Sequence, residues 1–423
     1  IYSSAILDGM MERGMVELVH NGTISGVEIT GNTSILGKMI SRGELPEVCR
    51  FHTHGGRPRA VMAGEVHIDV SFVAAPTADP MGNCNGVEGK NAFGAMGFSM
   101  TSTRHADKVV VITDNLVPYP LKRASIDESL VDYVVEVDEI GDPNGIATGI
   151  AKPTKDPVAL IIAEYAAQTI QHSGLLKDGF SYQAGAGGAS IATSRFVSDI
   201  MKKEKIHGSY IMGGVTGTSV DMLEDGLFDA ILDVQCFDRH AAQSLRDDPR
   251  HREVSDLCYA APALPGKNTT ACVDHLDVVV LGTLEVDTQF NCNLTVNSSG
   301  YISGGAGGHS DTAAGAKLAM IVAPLRRTRF PTVVERCTSI TTPGKDVDVV
   351  VTEYGVAVNP KDKELAQRLR DGGVHVVSIE DLQRIAQDMT GVPKPVRFGE
   401  RLVAEIVGRD GQIIDRVYNV IEE

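Results

Sequence analysis

The sequence predicts an α/β protein built from two repeated, doubly wound domains. Three observations predict it: an internal repeat, strand-like segments that alternate with helix-like ones, and an excess of glycine. Segments Val66–Asn85 and Asp274–Asn293 align 208 residues apart, without a gap over nineteen positions, and seven of these positions are identical. Glycine accounts for 44 of the 423 residues, above the average of about 7%. Tight turns at strand ends are the expected use of these glycines.

Each copy of the repeat contains a continuous apolar run, Val70–Ala74 in the first and Val278–Leu281 in the second. Such a run predicts a strand that is buried on both faces, as in a parallel sheet covered by helices. A polar cluster with the letters NCN then follows in both copies. Asp79 and Asp287 each precede this cluster by four residues, and we expect them to hold a turn.

The repeat divides the chain into an amino-terminal domain (1–152) and a carboxy-terminal domain (153–423), joined by the Gly- and Pro-rich stretch Gly141–Lys155. The second domain also contains Leu176–Ser190 and a helix at Thr193–Lys203, which have no counterpart in the first. We therefore expect the first domain to be incomplete at its start.

The second domain offers further local signals. Asp156 and Pro157 are typical of a helix start, and Gly174 predicts its end. Two amphipathic helices are predicted towards the carboxyl end, at Lys361–Arg370 and Glu380–Asp388. A hairpin is predicted after them, with strands Val403–Val407 and Ile413–Val417 joined across Asp410-Gly411.

Composition excludes several function classes. The formal charge of −16 argues against binding to nucleic acid or to an anionic membrane, because both are negatively charged. Apolar runs stay short of the ~18 residues that a membrane helix needs. Seven scattered cysteines without a CxxC pair indicate reduced thiols in a cytoplasmic protein, not a disulfide framework or a zinc site.

Three glycine-rich loops are candidates for binding or catalysis: Gly185–Gly188, Met212–Gly217 and Gly304–Asp311. Each is expected at a strand end and before a helix, where free backbone N–H groups face an anion or a developing oxyanion. None is followed by GK[ST], and none forms a GxGxxG fingerprint with an acidic residue about 20 positions on. A nucleotide triphosphatase and an ordinary dehydrogenase are therefore disfavoured.

Polar candidates cluster in one short segment, where His52, His54, Arg57 and Arg59 lie within eight residues. Arginine pairs bidentately with carboxylates, so a carboxylate-rich substrate is one interpretation, and a solvated loop is the other. The other ligands that a metal site at this HxH would need are not evident.

Two further residues of the second domain are weaker candidates. Glu285 has no acidic counterpart in the first copy of the repeat and is a minor candidate for a catalytic base. His309, which belongs to the third loop, is a candidate for orienting the substrate. Asp311 has a simpler expected role in capping the following helix.

Several long motifs resemble the acyl-CoA transferase superfamily and, within it, the α subunits of citrate lyase. They include RFHTHGGR (50–57), QAGAGG (183–188), LGTLEVD (281–287) and GGAGGHSD (304–311). The resemblance implies the CoA-transferase (NagB/RpiA-like) fold in both domains. It also implies a citrate CoA-transferase that exchanges acetate for citrate on an acyl-carrier thioester, within a complex that includes a β (lyase) and a γ (carrier) subunit.

Site roles follow from the resemblance. The phosphoribosyl-dephospho-CoA arm of the carrier is expected at the first loop, Thr283 and the third loop: Gly185, Ala186, Gly187, Gly188, Ala189, Thr283, Gly305, Gly307 and Gly308. The resemblance implies no cofactor that is covalently bound to this chain. Citrate is expected at His52, His54, Arg57, Arg59 and His309. Catalysis is assigned to Gly213, Gly214, Thr216 and Glu285. Further partners are acetate, CoA or acetyl-CoA and other copies of this chain in a homo-oligomer.

One departure bears on the mechanism. Relatives that form a glutamyl-CoA intermediate place a Glu about 25 residues after the first glycine loop, where this chain has Ile211–Gly214. We therefore expect direct attack of citrate carboxylate on the acetyl thioester, with backbone N–H groups stabilising the oxyanion. Three other functions remain as alternatives to a citrate transferase: another transferase or hydrolase of the superfamily, a scaffolding subunit, and a sugar-phosphate isomerase. The isomerase would need a Lys near the phosphate.

Overall fold

A nine-stranded, mostly parallel sheet organises the carboxy-terminal half of the computed structural model, which describes residues 1–6, 11–32, 34–142, 154–260 and 271–422. Its strands are β10 (Tyr182–Ala184), β11 (Gly208–Val215), β12 (Phe228–Cys236), β13 (His251–Glu253), β14 (Val278–Leu281), β17 (Leu318–Val322), β21 (Val349–Thr352), β22 (Gly355–Val358) and β23 (Val376–Val377). Their spatial order is β13-β12-β11-β10-β14-β17-β21-β22-β23, and only β21 and β22 pair antiparallel.

Helices cover both faces of this sheet. In this half they are α5 (Pro157–His172), α6 (Gly188–Glu204), α7 (Gly217–Glu224), α8 (Arg239–Asp247), α9 (His309–Gly315), α10 (Lys363–Asp371) and α11 (Ile379–Thr390). Val278 and Val280 pack with α5 and α6, whereas Val279 and Leu281 face the opposite core. The predicted burial on both faces is therefore confirmed for this strand. It is wrong for the corresponding run Val70–Ala74, where Val70 and Phe72 are exposed and only one face of the strand is covered.

The amino-terminal half contains smaller sheets. Its strands are β1 (Ala5–Ile6), β2 (Glu28–Ile29), β3 (Gly31–Asn32), β4 (Cys49–His52), β5 (Ile68–Ala75), β6 (Thr77–Ala78), β7 (Cys84–Asn85), β8 (Ala106–Thr113) and β9 (Tyr133–Glu136). Its helices are α1 (Val16–His20), α2 (Ser34–Arg42), α3 (Gly56–Met62) and α4 (Gly97–His105). The remaining strands of the chain are β15 (Glu285–Asp287), β16 (Cys292–Asn293), β18 (Arg326–Arg327), β19 (Phe330–Pro331), β20 (Val333–Val334), β24 (Phe398–Val407) and β25 (Ile413–Val420).

The internal repeat is visible in the structure. The parallel set β5-β8-β9 of the first half corresponds to β14-β17-β21 of the second, and the hairpin β6-β7 corresponds to β15-β16. Asp79 accepts hydrogen bonds from the backbone N–H groups of Met81, Gly82 and Asn83. Asp287 does the same for two backbone N–H groups in its own turn. The predicted turn-holding role of both aspartates is confirmed.

The carboxy-terminal hairpin returns to the amino-terminal half. Strand β24 pairs in parallel with β4, with Ala404 opposite Cys49 and Val407 opposite His52, and this completes the sheet β2-β4-β24-β25. The last residues of the chain thus support the segment that carries His52 and His54. The join between the two predicted domains falls largely on residues 143–153, which lie outside the described residues.

The predicted local signals of the second half are confirmed. Asp156 caps α5 by accepting a hydrogen bond from the Val158 N–H at 3.2 Å, with Pro157 in the first turn. The two amphipathic helices are α10 and α11, and the hairpin is β24-β25. In the described ranges, no helix combines the length and the apolar character that crossing a membrane requires.

Candidate functional site

The site lies where the strand order of the large sheet reverses direction. From β10 the chain proceeds outward through β11, β12 and β13, and it then crosses to the other side of β10 to form β14, β17 and β21. Ligands of open α/β sheets bind beside the carboxyl ends of the strands at such a switch point. The first glycine loop follows β10, and Gly282 and Thr283 follow β14, so both border this crevice.

The first loop joins β10 to α6 and has an accessible backbone. The Gly185 N–H donates to the Val280 carbonyl at 2.8 Å, which ties the loop to β14. A Cβ on Gly185 would have its nearest neighbour at 3.5 Å, and one on Gly187 at 3.9 Å, whereas one on Gly188 would lie 3.2 Å from Thr154 Cβ. These glycines, with Ala186 and Ala189, thus present main chain at the start of a 17-residue helix, where free N–H groups favour an anion.

The second loop is more tightly constrained. Gly213 has a φ of +114° at a bulge where β11 shifts its register against β12. A Cβ on Gly213 would lie 2.6 Å from Gln183 Nε2 and 2.9 Å from the Tyr259 hydroxyl oxygen, and one on Gly214 would overlap the Phe237 ring. Thr216, at the start of α7, is buried and makes no side-chain cap. Gly213 is therefore required both by its backbone angle and by its neighbours.

The third loop packs between the two halves of the chain. Gly305 lies against the backbone of Thr30 and Gly31, and Gly307 has a φ of +51°. The His54 N–H donates to the Gly307 carbonyl at 2.7 Å. A Cβ on Gly308 would lie 2.8 Å from the Tyr259 ring. This loop thus joins the His52–Arg59 segment to the large sheet.

Tyr259 is the side chain on which these parts converge. Its hydroxyl oxygen and Gln183 Nε2, at the end of β10, both border the Cβ position of Gly213, and its ring centroid lies 5.4 Å from that of His54. Burial raises the pKa of Tyr259 well above its usual value of 10, and nearby acidic groups raise it further. The phenol is therefore a neutral hydrogen-bonding group between the second and third glycine loops.

His54 and Arg57 also lie at this junction. The His54 ring packs between Phe98, with ring centroids 4.6 Å apart, and Tyr259. Burial lowers the pKa of His54 to about 3, and the positive charge of Arg57 acts in the same direction. Arg57 Nη2 donates to Asp256 Oδ2 and to the Phe98 carbonyl, both at 2.9 Å. Its guanidinium is thus already engaged in a buried ion pair.

His52 and Arg59 lie apart from this junction. His52 Nε2 pairs with Glu28, and Arg59 forms a two-pronged ion pair with Glu65. His52 and Glu65 line a cavity of about 390 Å³ that residues of β4 and of the carboxy-terminal hairpin border together. The structure therefore divides the four clustered residues into two pairs and does not bring them together around one ligand.

Three other sequence candidates hold the fold locally. Glu285 accepts hydrogen bonds from Asn293 and from the N–H and hydroxyl of Thr338, at 2.8–3.0 Å. The Thr283 hydroxyl donates to the Glu285 carbonyl at 2.6 Å. His309 bonds Thr342 Oγ1 at 2.8 Å and the Gly282 carbonyl at 3.0 Å, and burial lowers its pKa to about 4.

Sequence reasoning missed Tyr259, Gln183 and the ionic partner Asp256, and it assigned Asp311 another role. Asp311 does not cap α9. It accepts a hydrogen bond from the Gly55 N–H at 2.8 Å, and burial raises its pKa to about 7. None of these residues stands in a chemical motif of its own. Gln183 alone had a signal, because it directly precedes the first glycine loop.

Within the part of the chain that the structure describes, two clusters of exposed side chains have the residue types of a metal site. They are His67, Asp69 and Asp107, and Asp221, Glu224 and His240, and the possible ligand atoms in each lie within 4.8 Å of one another. Exposed acidic groups of this kind are common on protein surfaces, and neither cluster includes a residue of the three glycine loops. The absence of a metal from the reaction stays a prediction.

Comparison with known proteins decides the family. The family model "Citrate lyase, alpha subunit (CitF)" matches residues 1–420. The chain belongs to the citrate lyase alpha subunit family. The citrate lyase alpha chain of Escherichia coli (strain K12) is 45% identical over 408 residues, which cover 96% of this chain and 79% of that protein.

Solved structures agree with this family. A citrate lyase α subunit from Streptococcus mutans, in complex with citrate, matches with a TM-score of 0.96 and 43% identity, covering 100% of this chain and 82% of that one. A 4-hydroxybutyrate CoA-transferase from Porphyromonas gingivalis matches with a TM-score of 0.52 and 15% identity, covering 91% of this chain and 92% of that one. The second match concerns the fold alone, and it confirms the predicted α/β CoA-transferase fold. As a member of this family, the chain is a CoA-transferase-type enzyme subunit.

Proposed function

We propose that this chain is the citrate CoA-transferase subunit of a citrate lyase, exchanging acetate for citrate on a carrier-bound thioester. The observation that supports the proposal is the placement of the glycine loops, which lie together at the switch point of the large sheet. The membership of the chain in this family supports it as well. The Streptococcus mutans relative was solved with citrate, which supports citrate as the acid substrate here. Acetate, CoA and acetyl-CoA complete the set of small-molecule partners.

The thioester arm would lie along the first loop. Gly185 and Gly187 leave space beside the main chain at the start of α6, and backbone N–H groups there suit the phosphates of a phosphoribosyl-dephospho-CoA arm. Thr283 and Gly307 would border the arm from the β14 side of the crevice. Because backbone dipoles supply the positive ends, a chain of net charge −16 still binds an anionic arm.

A direct exchange is the chemistry that suits these residues. A citrate carboxylate oxygen attacks the acetyl thioester carbonyl, the C–S bond breaks, and the arm leaves as a thiolate. The thiolate then attacks the citryl carbonyl of the mixed anhydride and releases acetate, with no net proton transfer. Ile211–Gly214 offers no carboxylate, and Glu285 is held by Asn293 and Thr338. The chain would therefore act by positioning and by backbone stabilisation of the oxyanion.

The assembly follows from the same proposal. The β subunit would cleave the citryl thioester, and the γ subunit would carry the arm, in a cytoplasmic complex with several copies of this chain. His54 is the one citrate candidate of its segment that lies at the loop junction without a charged partner, so it is the first of them to test for citrate binding.

An exchange assay tests the proposal. Full-length protein is incubated with acetyl-CoA and citrate, and acetate release is followed together with citryl-CoA formation. We expect both products in equal amounts. Borohydride, which would reduce an enzyme-bound thioester and inactivate the protein, should leave the exchange activity unchanged. If citrate produces no acetate beyond slow thioester hydrolysis, the transferase assignment is wrong.

A further inference from the structure

His52 belongs to the His52–Arg59 segment, and the proposed function leaves it without a role. Its side chain is 2% exposed, and it borders the cavity of about 390 Å³ beside the carboxy-terminal hairpin. Nε2 pairs with the Glu28 carboxylate, whereas Nδ1 is buried and has no hydrogen-bond partner among the described residues. Buried polar atoms of folded proteins are nearly always hydrogen-bonded, so an unpaired one at the wall of a cavity indicates a ligand.

The contact with Glu28 fixes both the orientation and the tautomer of this ring. Rotating the ring by 180° would put a carbon atom in the place of Nε2, and the contact with the carboxylate would be lost. A carboxylate only accepts hydrogen bonds, so Nε2 carries the proton and donates it to Glu28. In the neutral ring Nδ1 is then the acceptor. The partner that His52 lacks is therefore a hydrogen-bond donor.

Charges of both signs line the same cavity. Glu65 and Glu405 are acidic and Arg50 is basic, and this balance disfavours a polyanion such as citrate. Arg50 Nη1 lies 3.3 Å from the Glu28 carboxylate, and its Nε lies 3.7 Å from that of Glu405. Among the described residues, Nη2 of this half-exposed arginine makes no hydrogen bond, so it is available for one further acceptor.

Aliphatic side chains complete the lining, with Val66 on one side and Val407 and Ile413 of the hairpin on the other. Val407 lies directly opposite His52 in the pairing of β24 with β4, so apolar and polar groups meet on one wall. The volume of the cavity is in the range of about 300–1,000 Å³ that is typical of small-molecule sites. A fitting ligand combines a donor for His52, an acceptor for Arg50 and an aliphatic part.

We propose that this cavity binds a small zwitterion of the chemical class of the aliphatic α-amino acids. The ammonium group donates to His52 Nδ1 and is balanced by the acidic residues of the lining. The carboxylate accepts from Arg50 Nη2, and the aliphatic side chain packs against Val66 and Ile413. A carboxylate alone offers no donor to His52, and an amine alone offers no acceptor to Arg50. The site lies apart from the loop junction, so this binding does not depend on the transferase function.

Isothermal titration calorimetry of the full-length protein with L-leucine tests the proposal. We expect one leucine site per chain. Two analogues keep the carbon skeleton of the side chain: 4-methylpentanoate lacks the ammonium group, and 3-methylbutylamine lacks the carboxylate. Each should bind at least about tenfold more weakly than leucine, because each leaves one charged hydrogen bond unmade. If leucine does not bind at millimolar concentration, or if either analogue binds as tightly, the inference is wrong.

Variants locate the site. His52→Phe keeps an aromatic ring but removes the acceptor, and it should weaken leucine binding by about 10- to 100-fold. His67→Phe is the matched control, because His67 also pairs with a carboxylate, 3.1 Å from Asp107, but is exposed and lies outside the lining. Its affinity for leucine should equal that of the wild type. Equal affinities of the wild type and His52→Phe overturn the inference. Should His52→Phe not fold, an unchanged affinity of Arg50→Met for leucine overturns it instead.

Discussion

Substituting Gly213 by alanine perturbs the site at its most constrained backbone position. The new Cβ would lie 2.6 Å from Gln183 Nε2 and 2.9 Å from the Tyr259 hydroxyl oxygen, at a φ of +114°. A non-glycine residue in such a conformation costs about 1–3 kcal/mol, and overpacking a dense interior costs about 1–3 kcal/mol more. We expect Gly213→Ala to lower the free energy of unfolding by about 2–6 kcal/mol.

The kinetic effect should exceed what partial unfolding explains. Relief of the clash must displace Gln183, Tyr259 or the bulge itself, so the loop loses its geometry, and losing one oxyanion donor typically costs about 10²–10³ in kcat. The assays are urea denaturation and acetyl-CoA–citrate exchange at a temperature where the variant is folded. Gly226→Ala is the control, because Gly226 also has a positive φ (+71°) but nothing within 4 Å of its Cβ position. A folded Gly213→Ala variant with a near-normal kcat would refute the role assigned to this loop.

Three further predictions use other parts of the structure. Gly185→Ala has room for its Cβ, with the nearest atom at 3.5 Å, so we expect unchanged thermal stability but a severalfold higher KM for acetyl-CoA; an unchanged KM would place the arm elsewhere. Arg57→Met should cost about 3–5 kcal/mol in urea denaturation because it leaves the Asp256 carboxylate buried and unpaired, and Asp256→Leu in the same chain should recover part of this loss. Asp311 has a folded pKa raised to about 7, so the folded state holds its proton more tightly than the unfolded state. Its contribution to stability therefore falls as the pH rises from about 4 to about 7, and Asp311→Asn should remove that slope from the urea midpoints measured across this range.

The fold was largely predictable because its signals are local or repeated. Continuous apolar runs such as Val278–Leu281 identify buried parallel strands, and the Asp–NCN turns recur because each aspartate satisfies several backbone N–H groups in its own turn. The return of β24 to pair with β4 was not predictable from these signals. A strand pattern specifies which residues are buried, but not which distant strand supplies its hydrogen bonds.

The His-Arg segment shows why closeness in sequence is a poor guide to a site. Arg57 and Arg59 both lie on α3, and residues two positions apart on a helix point in different directions. Arg57 accordingly reaches Asp256, whereas Arg59 reaches Glu65. Their charges serve to join elements of the fold, and each is already matched by a carboxylate. The glycine loops were a better guide, because strand ends of one parallel sheet gather at one edge.

Tyr259 shows what sequence reasoning could not reach. It is the last residue of the short helical turn Asp256–Tyr259 and belongs to no repeat, yet it lies against the end of β10, the bulge of β11 and the third glycine loop. Such a position exists only once the amino-terminal segment at Gly55 and the loop at Gly308 are packed against it. Because Tyr259 and Gln183 are neutral side chains beside main-chain loops, charge patterns carry no signal for them. Buried polar atoms without a partner among the described residues, such as Gln183 Oε1, are a signal that only the folded structure provides.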